Sequence, residues 1–505
     1  MSAARPHARV AVVAEDQQTR PRRLNKGEVV ELRIDSLAHG GAGVGRADGF
    51  VVFARGGLPG DTVRVEITGG KKRFGEGRVI ELLEAGPERV PERAPHPGAM
   101  WQALSYDAQL SAKEAQVRES LERFGEFDLS GIEFDSILPA GESHDDPAIW
   151  NYRNKVEFSF GLTEEGELAL GYHRPGRWDL IEDVDDVVLA SQRANEIRQR
   201  IKAFCVEREL SPYDPDEEFG FLRNLVIREG RNTGQTMVRL VTSSKEPEFG
   251  FDTAGLVESL GTLDPPVTSI VWTRSDNPGN WQQAAKDKTL LGKPQIEEEI
   301  LGLKFRISPD AFFQTNSAQT ERLYSTAIEF AELSGRETVF DLYCGSGTIG
   351  IALAESAGHV YGVEIVEAAI EDAKANANLN GIVDADFFAG DARLVVPELI
   401  EKVGRPEVAI VDPPRAGLSQ KVVRRVMEAG PKRIVYVSCN PDTLAPNLKQ
   451  MAESGYRLRR VRPVDMFPHT PHIETVAVLD LEDDAKRLAV IEARIEERRA
   501  KQQRR

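Results

Sequence analysis

Cysteine is scarce in this chain, with three among 505 residues: Cys205, Cys344 and Cys439. Three thiols build neither a disulfide framework nor a four-thiolate metal site. Long apolar runs are missing too. No stretch approaches the roughly 18 residues of a bilayer-spanning helix. The apolar patch near the start, Val10 to Ala14, is too short for the core of a secretory signal. Positive charge is in deficit, 64 Lys+Arg against 81 Asp+Glu, for a net charge of −17. Such a balance argues on average against nucleic acid, because non-specific affinity comes mainly from Lys and Arg on phosphates. What is present is ordinary globular composition, 41% hydrophobic and 29% charged, which excludes a wholly disordered or fibrous chain. The length predicts about three domains, and the chain reads as a soluble, cytoplasmic monomer.

The charge is uneven. Residues 1–80 hold 14 Lys+Arg and nine Asp+Glu, so the surplus acid lies beyond them. Residues 1–23 lack periodicity and read as a flexible basic tail. Over 24–86, apolar residues alternate in short runs (Val29–Ile34, Gly49–Phe53, Asp61–Ile67, Gly77–Ile80) separated by Gly40-Gly41, Gly56-Gly57 and Gly69-Gly70. That pattern predicts a small antiparallel, OB-like barrel. Lys71, Lys72 and Arg73, beside Phe74, fall on one of its turns, as an RNA contact or simply a solvated turn. Residues 87–310 read as a proline-rich linker (Pro87–Pro97), a helix over Ser105–Phe124 and a central α+β domain. From 311 to 482 strand and helix alternate, with strands Thr338–Leu342, His359–Val363, Val408–Val411 and Arg433–Val437 and a helix over Glu367–Leu379. This alternation predicts an α/β, Rossmann-like, doubly wound sheet. Residues 483–505 form a charged, helical tail.

The first strand of that region runs into Asp341-Leu342-Tyr343-Cys344-Gly345-Ser346-Gly347-Thr348-Ile349-Gly350. Gly345 and Gly347 let the backbone turn sharply and approach a ligand closely. Glu364 follows 19 residues after Gly345, at the end of the next strand, where a carboxylate can accept ribose hydroxyls. Formally this is also the dinucleotide fingerprint GxGxxG, so NAD or FAD remains open. Asp341, Asp391 and Asp412 add carboxylates at strand ends, and acid there suits the cationic S-adenosylmethionine better than a pyrophosphate.

Val411-Asp412-Pro413-Pro414-Arg415-Ala416-Gly417 leaves the fourth strand through a rigid double proline. Cys439 opens the loop after the fifth strand, in Val435-Tyr436-Val437-Ser438-Cys439-Asn440-Pro441. A lone cysteine is usually a small packed apolar residue, but one at a strand exit among polar neighbours can be a nucleophile. At an ordinary thiol pKa only roughly 3% is ionised at pH 7, so the site must help to activate it. Glu474 begins a last apolar strand, either as a solvent-facing strand end or facing a site. A thiolate and a carboxylate in one methyl-transfer cleft suit C5 of a pyrimidine. Addition of the thiolate at C6 makes C5 nucleophilic, and a base must then remove the C5 proton.

With Phe312-Phe313-Gln314-Thr315-Asn316, the DLYCGSG loop, DPPRAG, YVSCNPDT and DMFPHTPHIE, the chain resembles the RNA uracil-C5 (5-methyluridine) methyltransferase family from about residue 24 to 480. The resemblance implies Cys439 as nucleophile and Glu474 as the proton-removing base. It implies S-adenosylmethionine contacts from Gln314, Tyr343, Glu364, Asp391 and Asp412, the last also near the uracil. It makes the barrel an RNA-binding TRAM domain. Tyr152-Arg153-Asn154-Lys155 matches a segment lining the family's RNA path, which implies phosphate contacts by Arg153 and Lys155. Many members hold an iron–sulfur cluster between the TRAM domain and the following helix. Here that stretch, Ala94-Pro95-His96-Pro97-Gly98-Ala99-Met100-Trp101, has no cysteine, so no cluster is expected. The expected partner is RNA, ribosomal ahead of transfer RNA. Cytosine-C5 methylation and a non-catalytic RNA-binding assembly factor stand as alternatives. Asp412-Pro413-Pro414 lacks the cysteine that cytosine enzymes usually place in this turn, and intact Cys439 and Glu474 speak against the second.

Overall fold

Apolar residues or glycines at alternate positions line five strands near the N-terminus of the computed structural model, which describes residues 23–503 except 175, 248–249, 278–279 and 284. All but Arg23 of the expected basic tail lies outside the described residues. The chain divides into two compact units, Met1–Arg89 and Val90–Arg505.

In the first unit, β1 (Val29–Leu37), β2 (Gly43–Ala47), β3 (Phe50–Arg55), β4 (Thr62–Lys71) and β5 (Phe74–Glu84) close a barrel in the order β1-β2-β3-β5-β4. Leu32, Ile34, Phe50, Val52, Ala54, Val63, Val65 and Ile67 fill it. Two expectations need correction. The barrel is not wholly antiparallel, since β3 and β5 run parallel. Gly69 and Gly70 form no turn; they lie within β4 beside a bulge, and the turn is Lys72-Arg73. Strand β2 escapes hydropathy because glycine stands where side chains would be. A Cβ on Gly45 would lie 2.3 Å from the Arg33 carbonyl oxygen, so the close passage of β1 requires glycine there.

The second unit holds two large sheets and a two-stranded one among the described residues. After α1 (Tyr106–Arg123) and the short β6 (Glu133–Phe134) come β7 (Lys155–Leu162), β8 (Leu168–Arg174), β9 (Arg177–Glu182), α2 (Gln192–Glu207), β10 (Leu222–Gly230), β11 (Gln235–Thr242), α3 (Thr253–Gly261), β12 (Ser269–Arg274) and β13 (Lys286–Leu291). Their strands form a seven-stranded sheet, β13-β12-β11-β10-β7-β8-β9, packed on α2 and α3 through Phe158, Leu170, Ile197, Ile201, Leu256 and Ile270. A hairpin, β14 (Ile296–Ile300) and β15 (Leu303–Ile307), follows.

Then α4 (Ser317–Ala331), β16 (Thr338–Leu342), α5 (Thr348–Ala354), β17 (His359–Glu364), α6 (Glu367–Leu379), β18 (Ala385–Ala389), α7 (Ala392–Val403), β19 (Val408–Val411), α8 (Gln420–Ala429), β20 (Arg433–Ser438), α9 (Pro441–Glu453), β21 (Tyr456–Val464), β22 (Glu474–Leu481) and α10 (Asp484–Gln503) complete the chain. The sheet order is β18-β17-β16-β19-β20-β22-β21-β6. Strands β16 to β20 are parallel, and β22 is antiparallel to both neighbours. Separate apolar layers cover its two faces, which is why these strands read as near-continuous hydrophobic runs. Although α1 and β6 precede the seven-stranded sheet in sequence, α1 packs on α9 and β21, and β6 pairs with β21.

Candidate active site

The carboxyl ends of β16, β17, β19 and β20 open in one direction, the usual ligand position in an α/β sheet. After β16 the chain doubles back. Tyr343, Gly345 and Gly347 have φ of 66°, 54° and 80°, and the amides of Tyr343 and Cys344 both donate to the Val363 carbonyl, at 2.9 and 3.2 Å. Tyr343 in the left-handed region is strained, a cost that concentrates at ligand sites. The Glu364 carboxylate accepts from Gly345 N (3.4 Å) and Val366 N (3.0 Å), which fixes it at the mouth. Asp391 caps α7 and is gripped by Arg393 Nε at 2.9 and 2.8 Å. The Arg393 guanidinium holds its carboxyl below the usual range, so Asp391 already has an intramolecular partner.

Deeper in, acids gather with little to neutralise them. Asp341 is fully buried and both its carboxyl oxygens lack hydrogen-bond partners. Burial, then the charge of Asp412, pushes it to about 7. Burial raises Asp412 to about 7 as well. Glu474 is 3% exposed, its Oε2 has no partner, and burial raises it well above the carboxylate range, helped by Asp412 and opposed by Arg415. Cys439 is pushed up to about 12 by burial and by Glu474 and Asp412, again with Arg415 opposing. The expectation of an activated thiol is therefore corrected for this state. A dry, acid-lined cleft keeps the proton on sulfur.

The same chemistry suits a cation. Unpartnered Asp341 and Glu474 oxygens, with Asp412 between them electrostatically, fit the sulfonium of S-adenosylmethionine, while the glycine loop and Glu364 fit a nucleoside. Bound positive charge lowers the pKa of every acid facing it. Because Asp341 and Asp412 sit near 7, a cation that selects their anionic forms must expel a proton below that pH. S-adenosylmethionine affinity is expected to rise with pH below 7, by up to about tenfold per unit for one linked proton, and to level off above. Calorimetry from pH 6 to 8 checks this, with S-adenosylhomocysteine, uncharged at sulfur, giving a flatter curve. Identical slopes for the two ligands would remove the carboxyls from the account.

Register brings the two candidate reactive groups together. Ser438 pairs with Thr475 at the end of the β20–β22 ladder, so Cys439, just past β20, and Glu474, which begins β22, flank that last pair, and the Glu474 charge acts on the Cys439 thiol. The loop after Cys439 is rigid. Asn440 caps α9 by accepting from Asp442 N at 3.1 Å, and its amide donates to the Arg415 carbonyl at 3.1 Å. Arg415, whose guanidinium lies 3.2 Å from His472 Nδ1, was not singled out from sequence. Its signal was a cation inside a proline turn otherwise read for its carboxylate.

Gln314 is buried beside a second feature. Asn154 Nδ2 donates to the Gln314 carbonyl at 3.0 Å, and Asn154 N to that of Thr315 at 2.8 Å. This fastens Arg153-Asn154-Lys155 to the segment before α4. Arg153 and Lys155 line a cavity of about 300 Å³ with His96, Tyr172 and Thr315. Lys155 stands directly across from Arg228 in the β7–β10 ladder, and burial and that neighbour lower its pKa. Like charges opposed in a sheet destabilise it, and the carboxylates of Glu157 and Asp310 act on Lys155 in the opposite sense. In the barrel, Lys71, Lys72 and Arg73 are exposed, with Lys71 Nζ 5.9 Å from the Phe74 ring. Cys205 and Cys344 are buried, with burial raising both thiols. Among the described residues no group of three or more His, Cys, Asp or Glu could hold a metal ion. No described helix is long and apolar enough to cross a membrane.

Residues 282–482 match the family described as tRNA (Uracil-5-)-methyltransferase, and residues 23–80 the TRAM domain. An uncharacterized RNA methyltransferase of Halalkalibacterium halodurans is 40% identical over 466 residues, spanning 91% of this chain and 98% of that protein. One from Caldanaerobacter subterraneus subsp. tengcongensis is 37% identical, over 90% of this chain and all of the relative. The crystal structure of Pyrococcus abyssi tRNA (uracil-54, C5)-methyltransferase, in complex with S-adenosyl-L-homocysteine, superposes with a TM-score of 0.71 at 30% identity, covering 89% of this chain and 99% of that one.

Proposed function

Because the chain belongs to the RNA (uracil-5-)-methyltransferase family and is S-adenosylmethionine-dependent, we propose that it methylates C5 of a uridine in ribosomal RNA through a covalent Cys439 adduct. The placement of Cys439 and Glu474 at the end of the β20–β22 ladder carries this reading. S-adenosylmethionine supplies an electrophilic methyl group. The Cys439 thiol gives its proton to a cleft carboxylate, and its sulfur bonds to C6 of the uracil, which leaves C5 electron-rich enough to take the methyl. The Glu474 carboxylate then removes the C5 proton. The C–H pair becomes the C5–C6 double bond, and the C6–S bond breaks to return the Cys439 thiolate. Gln314, Tyr343, Gly345, Gly347 and Glu364 hold the cofactor, with Asp391 at the rim through Arg393 and Asp412 between the sulfonium and the uracil.

RNA contact is local in an acidic chain. Lys71, Lys72 and Arg73 on the barrel, and Arg153 and Lys155 on the cavity, take phosphates, and a grip outside the catalytic unit favours a large folded RNA. Each of Lys71→Gln and Lys155→Gln is expected to lower the slope of log affinity against log salt by about one, with S-adenosylmethionine binding unchanged. Filter binding from 50 to 300 mM salt checks it. An unaltered slope in both variants would place the RNA elsewhere.

A second reading, transfer RNA, is favoured by the Pyrococcus abyssi protein, a tRNA (uracil-54, C5)-methyltransferase. Mapping 5-methyluridine in RNA from cells with and without the gene decides. A site lost from ribosomal RNA supports the first reading, one lost from transfer RNA the second, and no lost site overturns both.

A further inference from the structure

The loop that delivers Glu474 has no regular structure of its own. It runs through residues 465–473, between β21 and β22, and fixing nine irregular residues costs backbone entropy at every one of them. Even so Asp465, Met466, His469, Thr470 and Ile473 are all at most 2% exposed, and His469 holds a left-handed φ of 64°. Something outside the loop imposes its shape.

That something is mostly α1, more than 350 residues earlier. Lys113 Nζ donates to Asp465 Oδ1 at 2.5 Å and to the Phe467 carbonyl at 2.9 Å. Tyr106 donates its hydroxyl to Asp465 Oδ2 at 2.7 Å and accepts from Ala140 N at 2.7 Å. Gln109 accepts from His469 N at 2.8 Å, and its amide lies 3.1 Å from His469 Nδ1. Trp150 stacks on the His469 ring with centroids 3.6 Å apart, and Arg93 lies over the Trp150 ring at 3.9 Å. Tyr152 donates to the Pro468 carbonyl at 3.2 Å, Asn316 to that of Met466 at 3.1 Å and Gln319 to that of Asp465 at 2.8 Å. A fully buried ion pair is a poor device for stability alone, since desolvation takes back most of the attraction. Its use is to fix one arrangement.

We propose that Tyr106, Gln109 and Lys113 of α1 are positioning residues for the proton-removal step, holding the 465–473 loop so that Glu474 reaches C5 of the methylated uracil. The inference rests on Glu474 being the base. Cys439 is anchored by Asn440 and α9, which α1 meets through Ser120, donating to Asp442 at 2.8 Å, rather than through Tyr106, Gln109 or Lys113. Loosening the α1 clamp therefore slows the last step while leaving thiol addition and methyl transfer intact, because a misplacement of about 1 Å is enough to cost a proton transfer heavily.

The test uses the full chain, total RNA from cells lacking the gene, and methyl-labelled S-adenosylmethionine. Tyr106→Phe and Gln109→Met each remove hydrogen bonds and little volume. Both are expected to raise the steady-state fraction of methyl-labelled, denaturation-resistant protein–RNA adduct several-fold over wild type. Turnover falls correspondingly, and the KM for S-adenosylmethionine is unchanged. Adduct and turnover falling together, or both staying at wild type, would overturn the clamp. The Glu474→Gln variant in the same assay separates the two levels. If it accumulates adduct and the α1 variants do not, the clamp is wrong. If Glu474→Gln accumulates none, the assignment of the base is wrong, and the clamp falls with it.

Discussion

Glu474→Gln is expected to turn the enzyme into a trap for its own substrate. Without a base, the C5 proton stays, the C6–S bond cannot break, and methylated RNA remains on Cys439 as a gel shift that survives denaturation and carries the methyl label. Turnover should fall by about 10²–10⁴-fold, the range of a positioned general base. The fold should tolerate the change, since burial already disfavours the Glu474 carboxylate and a neutral amide of the same shape replaces it. Cys439→Ala should give neither adduct nor methylation, because the uracil is never activated. The double variant should resemble Cys439→Ala, which separates a covalent trap from tight binding. Normal turnover by Glu474→Gln, or methylation by Cys439→Ala, would sink the mechanism.

The second large effect is on stability. Lys113 and Asp465 are both fully buried. Lys113→Met leaves the Asp465 carboxylate with Tyr106 as its remaining side-chain donor, and removing one partner of a buried pair costs about 3–5 kcal/mol. Chemical denaturation followed by tryptophan fluorescence should show the loss directly. Replacing both partners, Lys113→Met with Asp465→Leu, should recover most of it, because no charge is left unpaired. A loss below about 1 kcal/mol in the single variant would mean that water reaches the pair. If the pair acts on chemistry through the loop, the double variant should recover stability and still accumulate methylated adduct.

Much of the site is legible along the chain because its chemistry sits at strand ends, which hydrophobic runs reveal. Gly345 and Gly347 mark a backbone that must take positive φ, and the structure gives both that conformation. Glu364 and Glu474 mark the ends of apolar strands, as their runs predict. Where glycine takes inward positions of a strand the apolar pattern is lost, as at Gly43 and Gly45 of β2, and these glycines answer to the close approach of β1. Partners that come from afar are equally invisible. Nothing near Asp465 in sequence announces Lys113, 352 residues away.

Sequence by itself determined the architecture of strands and helices in the catalytic region, the barrel before it, the glycine loop and the residue types that could perform the chemistry. Those are local properties, written as period, turn residues and charge. Tertiary structure alone decided three things. The β20–β22 register brought Cys439 and Glu474 to one end of the ladder. Packing carried α1 past the seven-stranded sheet to the loop that precedes Glu474. Desolvation set the ionisation, raising the Cys439 thiol and the Asp412 carboxyl above their ordinary pKa values. Each depends on which groups share a dry space, and that is fixed by segments hundreds of residues apart rather than by any one of them.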